Sequence, residues 1–468
     1  MTFTETVANV NGVLNNIAWG WPTIILIFAA GLLLTIGSRF VQFSHFGHAL
    51  KQTVGQIGKK QAAGKGSVTP LQAVCTALAA TVGTGNITGV IGAICLGGPG
   101  AVFWMWVAAL LGMATKYSEV VLAINYRERN EKGDWVGGPM YYIKNGMGKS
   151  WKWLGGVFCA LGVLASFGIG NMTQAKNIAT SITGAVQVFD ANANAETVSL
   201  IVGIVIAVIV ALISLGGIKR IGSAAEKIVP VMSVIYILAS LTVIFTHIGS
   251  LGSVFGAIFR GAFNAKAVTG GALGVGIATI IKKGVARGIF SNEAGLGSAP
   301  MGHAAADTDS PVKQGMFGIF EVFMDTIVIC TMTALTVLCS GVGMTWGSDN
   351  ASIDIATGAF ASVFGGSAAS VVLAVALSLF ALTTILSWNL YGTRMCEFLL
   401  GPKAATVYKV LFLPVLVVGT TMSLDLVWAI ADTLNGLMAI PNLIALVVLS
   451  PVVFKLTKDY FGKKKTEK

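Results

Sequence analysis

Charge is what this chain has least of: Asp, Glu, Lys and Arg together make up 11% of its 468 residues, and only 20 residues are acidic. An ordinary soluble domain carries about 25% charged residues, so a water-facing globular fold of this length is excluded. Mean hydropathy is +0.78, and apolar residues account for 54% of the chain. That balance describes a polytopic helical membrane protein embedded in a lipid bilayer.

Other absences narrow the function. Six cysteines (Cys75, Cys95, Cys159, Cys330, Cys339, Cys396) fall within or at the ends of apolar stretches, with no CxxC and no His at metal-ligand spacing. They read as small buried apolar residues rather than disulfides or metal ligands. There is no G-x-x-x-x-G-K-[ST] phosphate loop, no catalytic triad arrangement and no soluble stretch large enough to carry one, so neither an enzyme nor a cofactor is expected. The net charge of +11 is distributed over loops, not over a basic amphipathic domain, which speaks against nucleic-acid binding. Residues 1–18 lack the basic n-region of a signal peptide.

Windows of about 20 apolar residues predict eleven spans, near 20–37, 68–95, 99–125, 153–177, 197–216, 227–247, 270–294, 313–340, 367–393, 407–423 and 427–454; the seventh is the least apolar. Lys and Arg collect on the cytoplasmic side of membrane proteins. Residues 1–38 contain none, whereas the loops after the first and third spans carry Arg39, Lys51, Lys59, Lys60 and Lys65, then Arg127, Arg129, Lys132, Lys144, Lys149 and Lys152. Lys219, Arg220, Lys227, Arg394, Lys403, Lys409 and the basic tail fall on that same side. The expected orientation is N-terminus outside and C-terminus cytoplasmic.

The organisation expected is an extra N-terminal helix and cytoplasmic loop over 1–67, a five-span unit over 68–247, an external interfacial segment at 248–269, a second five-span unit over 270–455 and a basic tail at 456–468. Five is odd, so the second unit runs opposite to the first, as in the inverted repeats of secondary transporters. The first helix of each unit is then expected to be discontinuous. TVGTGNITG, 81–89, places Gly83, Gly85 and Gly89 inside an apolar run, and GGALGVG, 270–276, offers Gly270, Gly271, Gly274 and Gly276. Unwound backbone at membrane depth must line a cavity or be buried in protein. Close packing of small residues is the competing explanation.

Three segments then carry a family resemblance: TVGTGNITG, GGPGAVFWMWVAALLG at 97–112 and GIFSNEAGLGSAPM at 288–301. Together with the span count they resemble the alanine or glycine:cation symporter family over almost the whole chain. The resemblance implies a leucine-transporter-like fold of ten core helices plus one N-terminal helix. It also implies uptake of small neutral amino acids, alanine and glycine, by alternating access, coupled to sodium or sometimes protons.

A zwitterionic substrate needs donors for its carboxylate, and amides at a half-helix N-terminus supply them. Thr84 and Gly85 are the candidates, with the Thr84 hydroxyl as a further donor; Asn86 offers a carbonyl to ion or substrate, and carbonyls around Gly274 and Gly276 can receive the ammonium. Gln174, in SFGIGNMTQAKN at 166–177, is a substrate ligand or interhelical glue; Trp388 is a cavity roof that would favour Ala and Gly over Leu, or simply packed between helices. For sodium, LFALTTILSW at 379–388 sets Thr383 and Thr384 on one helical face with the Phe380 carbonyl, and the first break frees the carbonyls of Ala79 and Val82. A Thr pair in a membrane helix ordinarily bonds its own turn; the resemblance places these five neutral oxygens at the fold's second sodium site.

Acidic residues inside spans are functional candidates. Lys116 and Glu119 are spaced to pair with each other, while Glu321 and Asp325, one turn apart, are the candidates for proton coupling, with Asp432 further along. Phe255, Phe259 and Phe263 describe an amphipathic surface helix, either an external lid or a passive interfacial element. Proton-coupled symport and a passive facilitator or channel remain the alternative functions.

Overall fold

The computed structural model describes residues 3–56, 63–64, 66–264, 276–344, 353–422 and 425–466. Among the described residues it is all-α apart from a short hairpin pairing Glu128–Arg129 with Trp135–Val136 and an isolated bridge between Val68 and Ala306. In lipid a helix satisfies its backbone groups within the segment, which is why apolar runs of this length become helices.

Chain entry is helical twice, over α1 (Phe3–Ala18) and α2 (Trp21–Gly37), where the sequence predicts a single span from residue 20. Next comes a bent pair, α3 (Pro70–Thr81) and α4 (Thr88–Gly97), whose axes differ by 59° across the break. Thr69 caps α3 in a reciprocal capping box with Gln72, and Pro70 sits at its first position, the sequence signature of a helix start. The long α5 (Gly100–Asn125) follows, then α6 (Lys152–Phe167) and α7 (Thr173–Phe189), joined by a wide π-type turn over Gly168–Met172.

The outer helices α8 (Ala195–Ser214) and α9 (Gly217–Thr246) expose large apolar side chains such as Ile201, Leu212 and Leu238, as a lipid-facing wall requires. A short amphipathic α10 (Leu251–Phe263) lays Phe259 and Phe263 against Phe103 of α5 at ring distances of 5.8 and 5.2 Å. The second bent segment consists of α11 (Ile277–Asn292) and the single turn α12 (Pro300–His303). Beyond it lie α13 (Pro311–Val322), a second wide turn over Phe323–Cys330, α14 (Thr331–Ser340), α15 (Ile353–Phe364), α16 (Gly366–Thr421) and α17 (Asp425–Thr466). Gly401, at φ 86°, interrupts α16 just before Pro402, so this run is two spans, matching the expectation of separate helices at 367–393 and 407–423.

The anticipated break at 270–276 lies outside the described residues except for Gly276, which is exposed at the start of α11. The chain unwinds at the opposite end of that helix, over residues 293–299. There Gly295 and Gly297 adopt φ of +90° and +83°, and Glu293, which is not glycine, adopts +54°. Positive φ ends a right-handed helix, and the glycines of NEAGLG supply it in sequence. One expectation is corrected: the Lys116 ion pair, at 3.3 Å, is with Glu321 and not with Glu119.

Candidate functional site

The first break is opened by its own asparagine. In a continuous helix the Gly83 N–H would bond the Ala79 carbonyl and the Asn86 N–H the Val82 carbonyl. Here the Gly83 N–H goes to Asn86 Oδ1 at 2.8 Å, and the Asn86 N–H to the Gly83 carbonyl at 3.2 Å. Both expected carbonyls are thereby released from helical bonding. Both residues are buried, Ala79 and Val82 each at 1% exposure.

Thr384 faces this break from α16. A β-carbon on Gly83 would lie 2.7 Å from Thr384 Oγ1, too close for any larger residue, so glycine permits the two helices to meet. Thr384 Oγ1 donates to the Phe380 carbonyl at 3.0 Å and stands 3.5 Å from the Ala80 carbonyl. Thr383 turns the other way: its hydroxyl bonds the Leu379 and Phe380 carbonyls at 3.0 and 2.9 Å and lies 3.6 Å from Met232 Sδ. Of the five expected positions the structure brings Thr384 and the Phe380 carbonyl to the first break at Gly83 and Ala80, with the Thr383 hydroxyl bonded within its own turn.

The turn after the break carries the next candidates. Thr84 Oγ1 donates to Gln174 Oε1 at 3.0 Å and accepts from Asn177 Nδ2 at 2.9 Å. Asn177 was not singled out by sequence reasoning, although it lies one turn beyond Gln174 on the same face. Gly85 is half-buried beside the Phe290 ring, 3.4 Å from where a β-carbon would stand. Asn86 is fully buried; its carbonyl is taken by the Gly83 N–H, and its amide reaches Ser291 Oγ at 2.9 Å and Asp325 Oδ1 at 2.6 Å. Asp325 also accepts from Ser291 at 2.9 Å and Thr326 at 2.7 Å. A neutral amide thus links the first break to a buried carboxyl on the second wide turn.

The second break is held by side chains from elsewhere. The Gly295 N–H donates to Glu119 Oε1 at 3.0 Å, and Asn442 Nδ2 bridges Glu119 Oε1 at 2.6 Å and the Gly295 carbonyl at 2.9 Å. Asn292 Oδ1 accepts from the Ala294 N–H at 2.9 Å, and Glu293 accepts from Ser298 Oγ and from Trp388 Nε1, the latter at 3.1 Å. Glu293 is the functional candidate that sequence reasoning missed; its position inside the NEAGLG glycine pattern was the available signal. Trp388, 1% exposed, presses on Gly170, where no β-carbon would fit. Gly276 lies apart from all of these, and Gly274 lies outside the described residues. Below the second break, Glu321 binds Lys116 and His303, the latter at 3.0 Å. Asp432 accepts from Asn15 at 3.1 Å, on the N-terminal helix.

Two unwound helices that meet at a buried polar centre within a helical membrane bundle define a secondary transporter of the leucine-transporter-like fold. The solved structure of MhsT in complex with L-phenylalanine shares that fold: it aligns with a TM-score of 0.57 at 14% identity, covering 86% of this chain and 99% of MhsT. The chain belongs to the sodium:alanine symporter family, whose profile matches residues 4–468. It is 43% identical over 458 residues to the sodium/alanine symporter AgcS of Methanococcus maripaludis, covering 97% of each chain. It is 39% identical over 467 residues to the probable sodium/glutamine symporter GlnT of Bacillus subtilis, covering 99% of this chain and 93% of that one. The protein is therefore a multi-pass membrane transporter, a cation-coupled amino-acid symporter and not an enzyme.

Proposed function

We propose that the chain imports small neutral amino acids, alanine and glycine, together with sodium, by alternating access. The observation that carries this reading is the contact of Thr384 with the first break, where Asn86 withdraws two N–H groups from the carbonyls of Ala79 and Val82. Neutral oxygens of this kind suit a hard monovalent cation. Ala79, Val82, Phe380 and Thr384, with Thr383 beside them, would hold sodium. Thr84 and Gly85 would take the carboxylate, with Gln174 and Asn86 fixing the turn and Trp388 setting the size limit. The ammonium would fall to backbone carbonyls of the second half, those around Gly274 and Gly276 or those unwound at 293–299.

The driving force is adequate. A potential of 100 mV contributes about 2.3 kcal/mol per sodium, and a tenfold sodium gradient adds about 1.4 kcal/mol. Their sum supports roughly 500-fold accumulation for one ion per substrate. In this reading the C-terminus is cytoplasmic and the N-terminus outside, supported by the Lys and Arg of the loops, and units 68–247 and 270–455 are inverted repeats.

A second reading, coupling to protons, is favoured by one observation: Asp325 is fully buried and tied directly to the first break through Asn86. Purified protein in liposomes, given sodium, potassium or proton gradients separately, decides between them. Labelled L-alanine accumulated under inward sodium alone supports sodium symport. Uptake driven only by protons and lost in Asp325→Asn selects the second reading, and downhill flux indifferent to every gradient makes the protein a facilitator and removes both.

A further inference from the structure

A polar cavity of about 180 Å³ opens at the end of the bundle where the basic loops gather. It is smaller than the roughly 300–1,000 Å³ of sites for drug-sized ligands, a size for a solute of a few heavy atoms. Its walls come from the α8–α9 connection (Ser214, Gly216), the hairpin loop (Lys132, Asp134) and α16. Asn389 lines it at 0% exposure, and neither its amide nitrogen nor its carbonyl oxygen has a hydrogen-bond partner. A buried amide left without partners is costly, so a polar occupant is required there.

The charges at the cavity fix the sign of that occupant. Both acids are already committed: Arg394 binds Glu397 at 2.8 Å and Asp134 at 3.2 Å, and Asn130 donates to Glu397 at 2.9 Å. Lys132 and Lys409 also line the space, and neither ammonium closes an ion pair or hydrogen bond among the described residues. Two uncommitted cations beside an unmet amide suit a carboxylate. Asn389 follows Trp388 directly and stands five residues beyond Thr384, about 7–8 Å along the helix axis. One helix therefore carries the Thr384 hydroxyl and, about one turn on, the Trp388 side chain and the cavity amide.

We propose that this cavity binds a small carboxylate-bearing solute, and, resting on the transport function proposed above, that the solute is the amino acid on its way to the cytoplasm. It forms a second station, separate from the one at the helix breaks. Asn389 hydrogen-bonds the solute, and Lys409 and Lys132 hold its charge.

Saturation-transfer NMR on the full chain in phosphatidylcholine nanodiscs, with potassium propionate as probe and 1-propanol as uncharged control, tests this. Propionate is expected to receive saturation and 1-propanol not; sodium-free L-alanine is expected to displace it. Lys409→Gln and Asn389→Leu are each expected to weaken propionate about tenfold, with gel-filtration profile and melting temperature as folding controls. Should Asn389→Leu misfold, Lys409→Gln carries the comparison alone. No propionate signal, or one that the variants leave unchanged, overturns the site. Displacement by inorganic phosphate at lower concentration than L-alanine, or loss of the signal in phosphatidylglycerol nanodiscs, assigns the cavity to phosphate or a lipid headgroup and overturns the amino-acid assignment. Liposome uptake indifferent to every gradient would remove the symport reading while leaving propionate binding measurable, so the two failures are distinguishable.

Discussion

The two helix breaks solve the same problem by opposite means. The first, at 82–87, is closed by one neutral side chain three residues away: Asn86 caps Gly83 beside Thr384, and the carbonyls of Ala79 and Val82 lose their helical N–H partners. The second, at 293–299, is pinned from a distance by Glu119 of α5 and Asn442 of α17, beside the fully buried Lys116–Glu321–His303 group. A locally satisfied break keeps carbonyls available to a ligand that comes and goes. A break pinned by a buried carboxylate and an amide from two other helices is an anchor, since removing either partner leaves a buried polar group unmatched.

That contrast predicts which substitutions unfold the protein and which only detune it. The largest effect is expected for Lys116→Met, which leaves the buried Glu321 with His303 alone and should lower stability by about 3–5 kcal/mol; thermal melting in detergent reads it, and Lys116→Met combined with Glu321→Met should recover most of the loss. Next, Asn442→Leu removes the bridge between Glu119 and Gly295 and should cost about 1–3 kcal/mol at any sodium concentration; a loss that added sodium reverses would mean the second break is a ligand site as well. At the first break the effects move from melting to binding. Thr384→Ala is expected to raise the sodium concentration for half-maximal uptake about tenfold with melting little changed, and an unaltered sodium dependence would remove the ion from this contact. The smallest effect is expected for Gln174→Ala, a few-fold weaker alanine affinity from one neutral hydrogen bond of about 1 kcal/mol; wild-type affinity would leave Gln174 as interhelical support.

The sequence made the first break legible because every element of it is local: the glycines and the capping asparagine lie within TVGTGNITG. The unwinding at 293–299 was not legible in this way: glycine density pointed to 270–276, of which only Gly276 is among the described residues, and what holds 293–299 comes from Glu119 and Asn442, distant in the chain. Lys116 failed for the same reason. Spacing offered Glu119, three residues on, whereas packing of α13 against α5 delivered Glu321. The helical spans were readable from hydropathy, including the separate helices on either side of Gly401. Asn389 was invisible as a candidate, since an asparagine in a membrane helix looks alike whether it is satisfied or not.

The wide turn at 168–172 has a consequence for register. A π-type turn holds one residue more than the α-helix around it, and each residue added rotates the rest of the helix by about 100°. Gln174 closes that turn by donating to the Ile169 carbonyl at 3.1 Å, and Gln174 and Asn177 then both point at Thr84. The polar face of α7 is thus dialled onto the first break by a single surplus residue, like one extra tooth in a gear train. Deleting Ile169 would restore regular winding and swing that face away from Thr84, leaving every amino acid that contacts the break chemically unchanged and wrongly aimed.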